Sequence, residues 1–212
     1  MTFWLQSAHD ALMEFIALGG WVVGLLLAVS VLAGAAILWK LWHLWALRIG
    51  AHKRLERALT LWGQNQPQQA QSQLANARNT LEKLALRGMK AADPSPLKSR
   101  LMTEAEAHTA RAETGLRLLD AIAQTAPLLG LFGTVLGMIQ AFQTLQTGGA
   151  HVDPAQLAGG IWVALLTTAM GLGVAMPVSL FLSWAESRLA RESQAAALMV
   201  ETLCSPAIPP ES

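Results

Sequence analysis

The sequence predicts an all-α membrane protein in which three transmembrane helices are joined by polar helical segments. Hydrophobic residues make up 53% of its 212 residues and charged residues only 14%, whereas a soluble domain carries about 25% charged residues. Three long stretches lack Asp, Glu, Lys and Arg altogether: Phe15 to Trp39, Ala121 to Val152, and Pro154 to Ala185. Because a helix crosses the hydrocarbon core with roughly 20 apolar residues, each stretch is long enough to be a span.

The first apolar stretch is predicted to be a retained span rather than a signal peptide. The residues before it include Asp10 and Glu14 but no Lys or Arg, and the apolar run exceeds the roughly 7–15 residues of a signal-peptide core. Residues 1–14 are predicted to form a short amphipathic helix on the outer membrane surface, because apolar and polar side chains alternate there.

The positions of the basic residues predict the orientation of the chain. All 15 Lys and Arg residues lie between Lys40 and Arg117 or at Arg188 and Arg191. Positive charge close to a span marks the cytoplasmic side. We therefore expect a multi-pass protein of the bacterial inner membrane with a periplasmic N-terminus and a cytoplasmic C-terminus. The predicted segments are the spans at 15–45, 118–147 and 157–185, a cytoplasmic helical loop at 46–117, a periplasmic loop at 148–156 and a cytoplasmic helical tail at 186–212.

The loop between the first two spans is predicted to be helical, because Ala, Leu, Gln and Glu are frequent from Leu47 to Leu116 and favour helices. We expect the first span to continue inward to Trp62 and a second helix to run from Pro67 to Leu86. After Pro96, one long helix is expected to run without a break into the second span. The third span is expected to continue as a cytoplasmic helix through Glu201.

Small residues recur on single faces of the second and third spans. Gly130, Gly133 and Gly137 fall on one helical face of the second span, and Gly171 belongs to a similar series in the third. In lipid, small residues let two helix backbones approach closely, as in a Gly-x-x-x-Gly motif. We interpret these four glycines as helix-packing residues, an interpretation that leaves the opposite helix faces available to line a path.

Threonines are the informative polar residues of the second and third spans, namely Thr125, Thr134, Thr167 and Thr168. Each hydroxyl can bond to a carbonyl of its own helix, or two hydroxyls on adjacent helices can face a shared polar path. No acid lies deep in a span, since Asp120 only opens the second one. A carboxylate inside a membrane is costly and signals function, so any titrating group for proton transport is expected to come from another chain.

Several function classes are disfavoured by what the sequence lacks. A net charge of +1 gives no indication of nucleic-acid binding, and one cysteine, Cys204, with five scattered histidines predicts no disulfide, no metal site and no cofactor. No nucleotide-binding loop, catalytic nucleophile or general base is recognisable. The protein is therefore predicted not to be an enzyme.

Two motifs resemble the paired signatures of a known family. The second span reads TAPLLGLFGTVLGMIQAF and the third contains ALLTTAMGLGVAMP, and both resemble the ExbB/TolQ/MotA proton-channel family, most of all its ExbB members. The resemblance is specific from Arg117 to Arg191 and architectural over the rest of the chain. By motif match, Thr134 and Thr168 correspond to the family threonines that face a partner's aspartate. Pro127 and Pro177 correspond to family prolines.

The resemblance implies an assembly and a function. ExbB-like subunits form a homo-oligomer, a pentamer, in the lipid bilayer, and their second and third spans line a central pore that holds an ExbD-like single-span protein. Proton flow through this pore powers mechanical work, which a TonB-like transducer delivers to transport across the outer membrane. The resemblance thus implies an inner-membrane proton-channel and stator subunit, with Thr134, Thr168 and Asp120 in the ion pathway.

Alternatives remain open within and outside this family. Many members carry a glutamate just before the ALL motif, where this chain has Val163, and this difference leaves the role of that carboxylate open. The alternatives are a TolQ-like subunit for envelope maintenance and a membrane scaffold that recruits cytoplasmic partners without ion conduction. A MotA-like stator is disfavoured because it has four spans, and protons are favoured over sodium because sodium needs more oxygen ligands. Asp120 can also be interpreted as an interfacial acid that starts the membrane helix.

Overall fold

The computed structural model describes residues 2–47, 49–50, 52–77, 79–91, 97–148 and 154–204. Within these ranges the regular elements are α-helices, and no residue lies in a β-strand. The helices are α1 (Thr2–Ala46), α2 (Lys53–Gly63), α3 (Pro67–Gln73), α4 (Thr80–Lys90), α5 (Lys98–Glu113), α6 (Leu116–Gly148) and α7 (Pro154–Cys204). The all-α fold class predicted from the sequence is confirmed.

Three helical segments are long and apolar enough to cross a membrane, and they are Gly20–Ala46, Lys98–Gln146 and Leu157–Cys204. Each overlaps one of the predicted spans, so the chain has the three apolar helices that the sequence predicts. Gly20 departs from helical geometry inside α1, with φ 64° and ψ −166°. The backbone on its N-terminal side is helical from Thr2, and the membrane-surface location of residues 1–14 stays a prediction.

The chain divides into two units. The first contains Met1–Leu38 and Leu116–Leu182, and the second contains Trp39–Gly115 and Ser183–Ser212. The first unit therefore holds most of the apolar helical sequence, and the second holds the polar helices α2 to α5 with the C-terminal part of α7. The assignment of individual segments to the two sides of a membrane remains a prediction.

The first span does not continue as a helix to Trp62, so that prediction was wrong. Helix α1 ends at Ala46 and α2 begins at Lys53. Between them, Gly50 has a positive φ of 96°, a left-handed conformation that glycine adopts without the steric penalty of a Cβ. A Cβ at Gly50 would also lie 2.7 Å from Nη1 of Arg188. Both the backbone turn and the available space therefore favour glycine at the point where the helix breaks.

The helix predicted from Pro67 to Leu86 is in fact two helices, α3 and α4. Helix α4 begins after Asn79, whose side-chain Oδ1 accepts a hydrogen bond from the Leu81 amide at 3.1 Å. In return the Asn79 amide donates to Oε2 of Glu82 at 3.4 Å. This reciprocal capping box satisfies backbone donors that a helix start leaves unpaired. The spacing of Asn79 and Glu82 in the sequence was the signal that the prediction missed.

The single helix predicted from Pro96 into the second span is also broken, because α5 ends at Glu113 and α6 starts at Leu116. Gly115 lies between them with φ 86°, and a Cβ there would stand 2.8 Å from Cζ3 of Trp39. The end of α5 is capped by the fully buried Lys40. Its Nζ donates to the carbonyls of Ala112 at 2.5 Å and Thr114 at 2.6 Å.

Helix α7 agrees with the prediction, since it runs unbroken through Pro177 and past Glu201 to Cys204. Its C-terminal part joins α2 to α5 in an apolar core within the second unit. The core includes Leu55, Leu74, Leu81, Leu84, Leu101, Met199 and Leu203, all less than 6% exposed. Burial of these side chains supplies the main driving force for packing of the short amphipathic helices, which are too short to be stable alone.

Candidate functional site

Helices α6 and α7 pack against each other in the first unit through small residues. A Cβ on Gly137 would lie 3.2 Å from Cα of Ala164, and a Cβ on Gly160 would lie 2.9 Å from Cβ of Ala141. The paired residues run in opposite directions along the chain, so the two helices are antiparallel. Contacts this close between helix backbones require glycine or alanine on both helices.

The closest approach of the pair lies around Gly130 and Gly171. A Cβ on Gly171 would stand 2.6 Å from the carbonyl oxygen of Ala126 and 3.0 Å from Cα of Gly130. One turn further along α6, a Cβ on Gly133 would stand 2.6 Å from Oγ1 of Thr167. The sequence-predicted glycines therefore all lie on the face that α6 and α7 share.

Threonine hydroxyls gather at this same level of the helix pair. Oγ1 of Thr167 donates to the Ala164 carbonyl at 2.7 Å and lies 3.3 Å from the Gly130 carbonyl oxygen. Oγ1 of Thr168 donates to the same Gly130 carbonyl at 3.3 Å. On α6, Oγ1 of Thr134 donates to the Leu131 carbonyl at 2.7 Å. Three hydroxyls thus meet at two successive carbonyls of α6.

The structure places Thr134 and Thr168 at one turn of the helix pair but leaves Asp120 apart from them. Asp120 is exposed near the start of α6, where its Oδ1 accepts a hydrogen bond from Nε2 of Gln124 at 2.8 Å. At about 1.5 Å of rise per residue, it lies roughly 20 Å along the helix from Thr134. Asp120 and the two threonines are therefore not one side-chain cluster.

Pro127 and Pro177 lie inside α6 and α7 respectively, and neither helix is interrupted by them. Proline has no amide hydrogen, so each ring leaves the carbonyl four residues earlier without its usual helical donor. In α6 that carbonyl belongs to Ala123, and in α7 it belongs to Gly173. Both helices thus carry an additional hydrogen-bond acceptor one turn before the proline.

Thr167 was not predicted to be a site residue, although it is the most buried hydroxyl of the group at 1% exposure. The spacing in the sequence could have indicated its buried position. Ala164, Thr167 and Gly171 are separated by three and four residues, so they lie on one face of the helix. Thr168 is half-buried beside it. The neighbouring Val163 is likewise half-buried.

The outer faces of α6 and α7 are strongly apolar. Large exposed side chains there include Leu128, Leu131, Val135, Ile139, Phe142, Trp162, Leu165, Met176 and Leu180. On α6, Phe132 meets Trp21 of α1 edge-on, with ring centroids 6.1 Å apart and an interplanar angle of 67°. Exposed apolar surface of this extent is typical of a helix that contacts lipid or another protein chain.

The described geometry sets limits on the chemistry of this site. Each hydroxyl can donate one hydrogen bond and accept others, so the threonines can orient a polar group in an otherwise apolar surrounding. They do not exchange charge near neutral pH. In the part of the chain that the structure describes, no group of three or more His, Cys, Asp or Glu side chains has an arrangement that could hold a metal ion.

Comparison with known proteins finds a family and several relatives. The model of the MotA/TolQ/ExbB proton channel family matches residues 69–197, more than half of the chain. The chain is 31% identical over 169 residues to the biopolymer transport protein ExbB-like 3 of Synechocystis sp., covering 77% of this chain and 79% of the relative.

Two further relatives share higher identity over shorter segments. The chain is 45% identical over 107 residues to the protein ExbB-like 1 of the same organism, covering 49% of this chain and 40% of the relative. It is 43% identical over 82 residues to the biopolymer transport protein exbB1 of Vibrio cholerae, covering 37% of this chain and 36% of the relative. These two matches therefore span less than half of each relative's own length.

Proposed function

The chain belongs to the MotA/TolQ/ExbB proton channel family, and from this premise we propose that it is a proton-channel subunit of the ExbB type. With three helices long and apolar enough to cross a membrane, it is a multi-pass membrane protein. The matched family is a proton channel family. We further infer the bacterial inner membrane, with a periplasmic N-terminus and a cytoplasmic C-terminus, because all Lys and Arg residues lie at 40–117 and 188–191.

This proposal rests on one observation, that threonine hydroxyls from α6 and α7 lie beside two successive carbonyls of α6. Thr134 donates to the Leu131 carbonyl, and Thr168 donates to the adjacent Gly130 carbonyl. A donating hydroxyl keeps lone pairs that accept further hydrogen bonds, so these side chains suit a protonated carboxyl group placed beside them. Because threonine itself does not titrate, the proton carrier must be a group on another chain.

We infer that this carrier is a carboxyl group of an ExbD-like single-span partner, held in a pore lined by α6 and α7. No Asp or Glu occurs at 121–152 or 154–185, and Val163 occupies the position where many ExbB-like sequences have a glutamate. The pore would be formed by a homo-oligomer of this chain, with five copies. Exposed apolar side chains such as Phe132 and Leu165 support contacts with lipid and with neighbouring subunits.

The mechanical output of this assembly is proposed to energise transport across the outer membrane through a TonB-like transducer. The relatives are named biopolymer transport proteins, and their names support a transport role. Asp120 is proposed to act at the cytoplasmic exit of the pathway, because it is exposed near the start of α6. A TolQ-like output is the alternative within the family.

The assembly is tested by native mass spectrometry of the tagged chain extracted gently from its own host. We expect five copies together with a single-span protein that carries a membrane aspartate. The identity of that partner also distinguishes an ExbB-like from a TolQ-like role. A monomer or dimer that retains only cytoplasmic proteins would contradict the proposal and favour a membrane scaffold, a function that the compact helical core of the second unit would serve.

The site is tested by proton flux in proteoliposomes that contain the purified complex. Thr134→Val and Thr168→Val keep the side-chain shape but remove the hydroxyl, and we expect each to reduce flux strongly while the complex still assembles. Thr125→Val is the matched control, since its hydroxyl bonds to the Ala121 carbonyl at 2.7 Å and Thr125 lies nine residues, roughly 13 Å along α6, from Thr134. A proton flux that is unchanged in both test variants would contradict the proposed pathway.

A further inference from the structure

A buried carboxylate meets two histidines in the second unit. Glu192 of α7 is completely buried, and His108 of α5 is 5% exposed. Nε2 of His108 lies 3.4 Å from Oε1 of Glu192, and Nε2 of His52 lies 3.4 Å from Oε2. His52 directly precedes α2, so the cluster brings together three segments that are far apart in the sequence.

Hydrogen bonding in this cluster is incomplete. The Gly50 amide donates to Oε2 of Glu192 at 3.0 Å. Among the described residues, however, Oε1 of Glu192, Nε2 of His108 and both ring nitrogens of His52 have no hydrogen-bond partner. Buried polar atoms are costly when they remain unpaired. Two imidazoles aimed at one carboxylate would resolve this deficit if they carried protons toward it.

The negative charge of the buried carboxylate also favours protonated histidines beside it. Burial raises the pKa of the Glu192 carboxyl, but His108, the Gly50 amide and the positive charge that His52 and His108 carry when protonated hold it below its ordinary value of 4.5. The carboxylate is therefore ionised at neutral pH, and a buried ion requires an opposite charge close by. Histidine is the side chain whose charge ordinarily changes between about pH 5 and pH 8.

Other charged groups around the cluster do not replace the histidines. Arg188 lies one turn earlier on α7, and its Nη1 is directed at the Ile49 carbonyl at 3.5 Å. Lys40 of α1 is held by carbonyls at the end of α5. From the segments packed against Glu192, the groups whose charges act on its carboxyl are His52 before α2 and His108 on α5.

We propose that His52, His108 and Glu192 form a buried proton-binding site, in which the Glu192 carboxylate stabilises a proton on the imidazoles. This bound proton stabilises the contacts of α5 and of the α1–α2 connection with α7. The ligand is the proton itself, since the described residues offer no side-chain group suited to a metal ion. Loss of the proton leaves a buried anion that keeps the Gly50 hydrogen bond but has no positive charge beside it, so alkalinisation loosens these contacts. The site lies outside the threonine pathway and does not depend on the proposed conduction.

The direct test is nuclear magnetic resonance of ¹⁵N-histidine in the full chain, held in lipid nanodiscs at about pH 7, where histidine protonation is most sensitive to its surroundings. We expect an imidazolium signal, assigned by its loss in His52→Gln or His108→Gln. Glu192→Gln should abolish it, because the stabilising charge is removed at nearly constant shape. Glu201→Gln, on the same helix but exposed, is the matched control and should retain it.

A second measurement keeps the proposal falsifiable if Glu192→Gln does not fold. Hydrogen exchange of the Gly50 amide in the unmodified chain, corrected for intrinsic exchange, should lose protection by about tenfold between about pH 6 and pH 8, the range in which histidine loses its charge. Protection that is independent of pH would overturn the proposal. An imidazolium signal unchanged in Glu192→Gln would also overturn it, as would histidine spectra that change on addition of a metal chelator.

Discussion

Gly133 of α6 lies directly against Thr167 of α7, so that a Cβ on Gly133 would stand 2.6 Å from both Cβ and Oγ1 of the threonine. The glycine and the hydroxyl are therefore parts of one contact. Absence of a side chain on α6 lets the helices approach closely enough for Thr167 and Thr168 to reach the Gly130 carbonyl. Close packing and the arrangement of hydroxyls depend on each other at this point.

Gly133→Ala should destabilise the packing of α6 against α7. The new methyl group would overlap Thr167, and overpacking of this kind costs about 1–3 kcal/mol. The measurement is the SDS-induced unfolding midpoint of the purified chain in mild detergent. Gly173→Ala is the matched control, because a Cβ on Gly173 has nothing within 4 Å. Equal midpoints for the two variants would contradict the contact.

Thr167→Val should lower stability more than Thr134→Val does. Thr167 is buried, and besides its bond to the Ala164 carbonyl of α7 its hydroxyl lies 3.3 Å from the Gly130 carbonyl oxygen of α6, whereas the exposed Thr134 bonds within α6. An interhelical hydrogen bond in a membrane protein is worth about 0.6 kcal/mol, so the same unfolding assay should show a loss of about that size. A larger loss in Thr134→Val would show that the bonding pattern is wrong.

Lys40→Met should weaken the end of α5. The substitution keeps the apolar stem but removes the ammonium group that donates to the Ala112 and Thr114 carbonyls. Unpaired buried acceptors cost roughly 1–3 kcal/mol, and hydrogen exchange at the α5–α6 junction should accelerate accordingly. Lys53→Met, at an exposed position, should leave exchange at the junction unaltered.

Asn79→Ala should remove the capping box of α4. Loss of an N-cap side chain costs about 0.5–2 kcal/mol, so thermal unfolding of the second unit should shift to lower temperature. Asn76→Ala is the appropriate comparison, because Asn76 is exposed and lies outside the helices. A transition temperature equal in the two variants would argue against the cap.

Acid should destabilise the second unit through Glu192. Its pKa in the folded chain is below the ordinary value of 4.5, so the unfolded chain takes up this proton first as pH falls. The stabilisation by the carboxylate is therefore fully present above the ordinary pKa and is lost as the pH drops through the folded value. Unfolding measured against pH should be less steep over this range in Glu192→Gln, with Glu201→Gln behaving as the parent.

Part of the fold was predictable because its signals are local. Charge-free stretches and the unbroken course of α7 follow from composition along the chain, and the predictions for both agree with the structure. The breaks at Gly50 and Gly115 were not predicted, because a glycine in a helix-forming sequence can either adopt the helical conformation or end the helix. Its conformation is decided by what lies opposite, which is Arg188 in one case and Trp39 in the other.

The sequence by itself determined the family, the three apolar helices, and the small residues and threonines of α6 and α7. These features are visible along the chain because each segment must by itself be long and apolar enough to cross the membrane. Only the tertiary structure decided which hydroxyl is buried, since Thr167 and Thr168 differ by their position opposite Gly133 and Gly130. Likewise, the scattered His52, His108 and Glu192 became a cluster only when α5 and α7 packed together. Long-range packing sets such contacts, and no local pattern encodes the distance between side chains so far apart in the chain.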